Sequence, residues 1–578
     1  MKRSIFFFAS LFLWTCYVSA QFQGWNILSN NLSNARKVIE RSKDYGINHL
    51  QLSHELIMDL KQMRDSNRRN VVNELISEAH KNGIKEVVVW DHALYSLSYY
   101  PDKFRTGPNA TIDLDNDEFW IWLKQDYRDM LSLIPEVDGI VLTFIETGAR
   151  AEKQYSLKHP SNKEKLALVI NKVAEVVCDE LGKKLYIRTF AYNEMEYKDL
   201  TGCLSYIKNK DIILMIKETP HDFFLTHPNN TLAGKFDYRT IIEFDAGNEF
   251  NGQGIIANTW PQHFMRRWSY FKDIPNVIGY VARTDRYNTT HIVDSPNEIL
   301  LYALMRYSND STVAVDEIYD EFITQRYGTK ALKPIKRAFQ SAYDIVTSSL
   351  YTLGTNFACH SALEYEPYQS SYNRHVSGKW INPPIVFVKH DVNKIFHYWQ
   401  DIIQHLSPAR YKTANSRLKV EYPAALENGW VTSTEEISKE YIQYVYKEKQ
   451  YGVDKALSAL SDIVKVKKVL SAPLYEELYD MFERTLLTCQ LHKAVFTSIL
   501  TYRLYVKNGY ELDKKSQSLL NKCLSEILSL CQTIDAYSKK YPKGQWDWKK
   551  DTTMAMEYYN KITKTGWKPY GKVYPFAQ

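Results

Sequence analysis

Beyond its first 20 residues, this 578-residue chain has no run approaching the ~20 consecutive apolar residues that a membrane-spanning helix needs. It also lacks an excess of either charge. Lys and Arg number 73 and Asp and Glu 67, interleaved along the sequence, so a formal charge of +6 gives no basic footprint for nucleic acid. Cysteine is scarce: Cys16 lies in the first segment, and Cys178, Cys203, Cys359, Cys489, Cys523 and Cys531 are not spaced as zinc ligands. Cys523 and Cys531 fall two turns apart on an expected helix, out of reach of a disulfide. There is no internal repeat and no low-complexity tract. With 44% hydrophobic and 24% charged residues, the composition argues against a disordered or fibrous chain.

The start of the chain reads as a targeting segment. Lys2 and Arg3 precede the apolar run IFFFASLFLW, and VSA at 18–20 supplies the small residues of a cleavage site. Residues 1–20 are therefore assigned as a signal peptide, and an exported protein, periplasmic or extracellular, is expected. A lipoprotein signal ending at Cys16 is the competing reading, which Trp14 and Thr15 fit poorly. Loss of Lys2 and Arg3 would lower the formal charge from +6 to +4.

A chain of this length exceeds one core, and its pattern divides in two. From about 24 to 284, apolar runs rich in β-branched residues alternate with helical patterns. The expected strands are 25–29, 48–53, 85–90, 138–145, 185–190, 211–216, 240–244 and 277–282. Strands alternating with helices predict a parallel sheet, and this number of units in about 260 residues has the size of a closed (β/α)8 TIM barrel, assigned to residues 21–335. An open doubly wound sheet is the alternative. From 336 to 578, apolar residues recur at helical spacing with few strand signals, which predicts an α-helical C-terminal domain and a candidate homodimer surface.

In a barrel of this kind the active site lies at the C-terminal ends of the strands. Polar residues that end the apolar runs are therefore the candidates. They are Glu146; Arg188 with Tyr192 and Asn193; Lys217 and Asp222; Glu243, Asp245 and Glu249; and Arg283 and Asp285. The plain alternative for Glu243, Asp245 and Asp285 is that each caps a following helix, and for Arg188 that it pairs with a barrel carboxylate. Several carboxylates around one mouth, with cations and no metal motif, fit glycoside hydrolysis. One carboxyl protonates the leaving oxygen while another activates water or attacks the anomeric carbon. The cations would bind a substrate anion such as a uronate. A metal hydrolase fits less well, since His221 is the sole histidine among these strand ends. No cofactor is called for.

RTFAYN at 188–193, KETPHDFFLTHP at 217–228, EFDAGNEFNGQG at 243–254, GYVARTDR at 279–286 and the stretch at 303–328 resemble consecutive blocks of glycoside hydrolase family 67, the α-glucuronidases. The resemblance covers about residues 137–330. It implies an inverting exo-acting hydrolase that removes a terminal uronic acid or related acidic sugar from a glycan fragment. Glu146 would be the general acid, Asp222 and Glu249 the pair that activates water, and Arg188 and Lys217 the grip on the uronate. Tyr192, Asn193, Arg283 and Asp285 would complete the substrate contacts. Leu142 stands where the family has a further uronate-binding lysine, and the family's N-terminal β-sandwich has no counterpart. A carbohydrate-binding protein on a disabled barrel is the alternative function.

Overall fold

The computed structural model describes residues 22–191, 194–219, 222–225, 229–286, 291–352, 355–356, 361, 363, 438–538 and 548–564. Eight parallel strands close into a barrel in chain order: β1 (Phe22–Ile27), β2 (His49–Leu52), β3 (Glu86–His92), β4 (Gly139–Thr143), β5 (Lys184–Arg188), β6 (Ile213–Lys217), β7 (Thr240–Phe244) and β8 (Val277–Arg283). The open-sheet alternative is excluded, because β8 pairs with β1. The register advances two residues between Glu86 and Val88, again between Lys184 and Tyr186, between Ile213 and Met215, and between Gly279 and Val281. Those four steps give the stagger of eight that an eight-stranded barrel needs in order to close.

Side-chain alternation sorts each strand into an interior and an exterior face. Val88, Val141, Tyr186, Ile213, Met215, Ile241 and Val281 fill the barrel. One step further along the same faces stand Trp90, Arg188, Lys217, Glu243 and Arg283, at the C-terminal mouth. At the opposite end Glu86 accepts from His49 Nδ1 at 3.0 Å and bonds Tyr186 and Lys184. Glycine is obligatory at 279, where a Cβ would overlap the Phe22 carbonyl oxygen of the neighbouring strand.

The outer ring begins with α1 (Leu32–Ser42), α2 (Ser66–Lys81), α3 (Asp117–Ser132), α4 (Asn162–Ala174) and α5 (Glu194–Cys203). Asn31, Asp65, Asn116 and Ser161 cap the first four by accepting a first-turn backbone N–H. Among the described residues no helix joins β6 to β7. After β7 and β8 come α6 (Pro261–Phe271) and α7 (Ile299–Asn309).

Then α8 (Val315–Tyr327) and α9 (Leu332–Ser349) lead to the C-terminal helices α10 (Lys439–Lys465), α11 (Ala472–Lys507), α12 (Lys514–Ser538) and α13 (Trp548–Lys564). The expected junction at 335/336 falls inside α9. That helix is shared: Arg337 pairs with Asp462 of α10 at 2.8 Å, and Phe339 stacks on Phe482 of α11 with centroids 6.3 Å apart. One continuous apolar core runs from the barrel into these helices. No helix among the described residues is long and apolar enough to cross a membrane. The assigned signal segment lies outside the described residues.

Candidate active site

Glu243, the inward residue near the end of β7, organises the mouth. It is fully buried, accepts from Arg188 Nε at 2.8 Å and from Arg283 Nε at 3.0 Å, and so holds two guanidinium groups from β5 and β8 over one carboxylate. Burial alone would push its pKa up, but Arg188, Arg283 and Lys217 outweigh burial and hold it down to about 2. The plain reading of Arg188 as a barrel ion pair is thus partly realised. Arg188 spends only Nε on Glu243; its other guanidinium nitrogens make no hydrogen bond among the described residues, and its Cζ lies 4.8 Å from the Trp90 ring centroid and 5.3 Å from that of Phe190.

Glu249 follows in a tight turn. Asp245 Oδ2 accepts the Glu249 N–H at 2.7 Å, and Asn248 between them takes a left-handed backbone with φ of 55°. The Glu249 carboxylate accepts from Arg283 Nη1 at 2.8 Å on one oxygen and from Arg286 Nη2 at 2.6 Å on the other. Burial pushes Asp245 up to about 6, against the pull of Arg283. Arg283 thereby bridges Glu243 and Glu249, and the cations and carboxylates alternate around the mouth.

Asp222 lies in the loop after β6. Its Oδ1 accepts from Lys217 Nζ at 2.7 Å and from the Phe223 N–H at 3.1 Å, while among the described residues no donor reaches Oδ2. Burial raises its proton affinity, Lys217 opposes the rise, and Glu249 adds to it. Lys217 is lowered by burial, with Asp222 opposing, and its ammonium sits 3.8 Å from the Phe190 centroid and 4.6 Å from that of Phe223.

Arg188, Lys217, Asp222, Glu249 and Arg283 are therefore brought together. Glu146 is exposed, just past the end of β4. Asp285 is spent elsewhere: fully buried, it accepts the N–H groups of Leu28 at 2.8 Å and Ser29 at 3.3 Å and the Asn34 amide at 3.0 Å, tying β8 to the start of α1. Tyr192 and Asn193 lie outside the described residues.

Three residues at the mouth were missed from the sequence. Arg286 ends the GYVARTDR block and pairs with Glu249. Trp90 ends its apolar run and carries the Arg188 guanidinium. His54 follows β2 with a left-handed φ of 51°, its ring 4.9 Å from Trp90 and its Nδ1 2.9 Å from Ser53 Oγ. Burial lowers the His54 pKa well below the ordinary histidine value, and Arg286 and Arg283 lower it further, so the ring is neutral at physiological pH. The strand-end rule that found Glu146 would have found His54 had it been applied to β2, whereas Trp90 is apolar and such a rule passes over it.

No protein-family model matches the chain, and no curated protein does. Solved structures do. One is a GH138 enzyme targeting pectin rhamnogalacturonan II, 12% identical, with a TM-score of 0.57 over 94% of this chain and 67% of that one. A GH115 4-O-methyl-α-glucuronidase with specificity for decorated arabinogalactans is 10% identical, with a TM-score of 0.47 over 93% of this chain and 61% of that one. An O-GlcNAc hydrolase of Thermobaculum terrenum, 10% identical, gives 0.43 over 94% of each. These neighbours are glycoside hydrolases, and at such identities the likeness of the first bears on the fold alone: a TIM barrel followed by a helical region.

Proposed function

We propose that this chain is an exported glycoside hydrolase that removes a terminal uronic acid or related acidic sugar from a glycan fragment with inversion at the anomeric carbon. The observation that carries this reading is the convergence of Arg188, Lys217, Arg283 and Arg286 on Glu243, Asp222 and Glu249 at the mouth of the barrel. The terminal nitrogens of Arg188 offer the planar fork that matches a carboxylate. When Asp245 is protonated, the four cations outnumber Asp222, Glu243 and Glu249, and a substrate anion would neutralise the surplus. The GH138 neighbour, itself a glycan-targeting enzyme on this fold, supports the class of reaction.

The two carboxylates of the proposed base pair differ in what they can do. Glu249 has an arginine on each oxygen, so its lone pairs are poorly placed to take a proton. Asp222, with no donor among the described residues on Oδ2 and its proton affinity raised, is the better acceptor. Asp222 would deprotonate the water, Glu249 would orient it and stabilise developing positive charge on the sugar, and Glu146 would protonate the leaving oxygen from the rim. Asp285 is read as a brace for β8 rather than a substrate contact.

The double arginine clamp on Glu249 also favours a second reading, a carbohydrate-binding barrel without turnover. Assay of aryl and oligosaccharide α-uronides beside the matching neutral glycosides separates the two. Turnover of uronides at least ~100-fold above neutral glycosides, lost in Asp222→Asn, is expected for the hydrolase. Saturable uronide binding with no turnover by wild type would establish the binding protein instead.

A further inference from the structure

Asp222 and Glu249 ride on the loops after β6 and β7, and both loops are fastened from outside the barrel by the segment that follows α9. Tyr351 is fully buried. Its hydroxyl accepts the Leu225 N–H at 3.0 Å and donates to Asn251 Oδ1, and the Asn251 amide donates to the Phe223 carbonyl at 3.1 Å. One phenol therefore joins the two loops, close in sequence to each carboxylate.

Ser361 makes a second tie. Its Oγ accepts the Gly252 N–H at 2.7 Å and donates to the Glu249 carbonyl at 3.1 Å. Ser361 itself holds a left-handed backbone, φ 66°, which a serine adopts at a cost that its surroundings must offset. Two residues on, the Leu363 N–H is bound by Asp551 of α13 at 2.7 Å.

Tyr351 is seated by Lys449 of α10, whose buried ammonium bonds the carbonyls of Ser348 at 3.0 Å, Ser349 at 3.1 Å and Tyr351. Ser348 and Ser349 end α9, where a cation is favoured and orphan acceptors need donors. Further along the β7 loop, Thr485 Oγ1 accepts the Ala257 N–H at 3.0 Å, and Arg484 Nε donates to the Ile255 carbonyl at 2.8 Å, both from α11. Every one of these buried polar groups finds its partner in a loop that carries the site or in the helices behind it.

We propose that Tyr351 and Ser361 are positioning residues that set the spacing of Asp222 and Glu249, with Lys449 seating Tyr351, so that the helical region is a working part of the active site. This rests on the hydrolase reading for its kinetic consequence and on the hydrogen bonds alone for its structural one. Tyr351→Phe removes one hydroxyl and strands the Leu225 N–H and Asn251 Oδ1; Ser361→Ala removes the second tie.

In the full-length protein, hydrogen exchange read by mass spectrometry should accelerate about tenfold or more in peptides covering 222–225 and 249–254, with β1–β4 unchanged. On an aryl α-uronide, kcat should fall at least ~10-fold while KM moves less than ~3-fold, because displaced catalytic groups cost turnover more than binding. The acidic limb of the pH profile should shift as well, since the proton affinity of Asp222 depends on its distance from Glu249. Faster exchange confined to the helices, with the two loops and the pH limb unmoved, would overturn the proposal. Should Tyr351→Phe fail to fold, Ser361→Ala carries the same measurements. If wild type turns over no uronide, the hydrolase reading fails and the exchange data still decide the positioning.

Discussion

Arg188 and Lys217 each serve two masters, an internal carboxylate and the proposed substrate anion, and single substitutions can separate these roles. Arg188→Ala should cost ~2 to 5 kcal/mol in kcat/KM for uronides, as for one lost partner of a buried charge pair, and leave the much weaker turnover of neutral glycosides nearly unchanged. Equal losses on both substrate classes would show that the arginine only braces Glu243. Lys217→Met tests the base. Lys217 opposes the rise in the proton affinity of Asp222, so removing it should move the acidic limb of the pH–rate profile to higher pH, and a limb that stays put or moves down would exclude Asp222 as the base. Glu146→Gln should slow substrates with poor leaving groups far more than activated aryl uronides, because only the former need the proton. In a ligand-bound crystal structure its carboxyl should lie ~6.5 to 9.5 Å from that of Asp222 or Glu249, and ~5 Å would instead indicate retention.

Among the elements, β7 and the loop after it do most to shape the mouth. The strand delivers Glu243 to the layer above Ile241 by simple alternation, and Glu243 then fixes Arg188 and Arg283. The loop turns back through Asn248 and Gly247, where a Cβ would approach the Asp285 carbonyl oxygen to 2.6 Å. Because Glu243 is held at about 2 against an unfolded value of 4.5, its contribution to stability is fully present above pH ~4.5 and is lost as pH falls from there toward 2. Glu86, at the other end of the barrel, is also held down to about 2: burial raises it, and His49, Lys184 and Tyr186 outweigh that. Acid unfolding should therefore steepen below pH ~4.5, each carboxylate accounting for something of the order of 3 kcal/mol. Glu243→Gln should flatten that part of the profile when stability is measured by urea unfolding from pH 6 to 3. The substitution should also destabilise at neutral pH, where two buried guanidinium groups lose their shared partner.

At the scale of the whole molecule, the barrel and helical region share one core and are stitched together by polar ties at the back of the site. Helix α9 belongs to both, which is why a change in sequence pattern near 335 does not coincide with a break in the structure. The barrel was legible because short apolar runs rich in β-branched residues and helical stretches are local signals; the run at 240–244 coincides with β7, and the first run was placed late because β1 begins at Phe22, in a segment with little β-branched character. Which candidates stand at the mouth was legible too, since a strand end in a closed barrel points its last inward residue there. Local pattern thus determined the fold class, the strand ends and the presence of Arg188, Lys217, Glu243, Glu249 and Arg283 among the candidates. Only the tertiary structure decided how they are used. Glu243 became the brace between two arginines, Arg286 the second clamp on Glu249, Asp285 a tie to α1, and Tyr351, more than 100 residues from Asp222, the bond between two loops. Such pairings depend on contacts between residues far apart in sequence, and no periodicity within a short window encodes them.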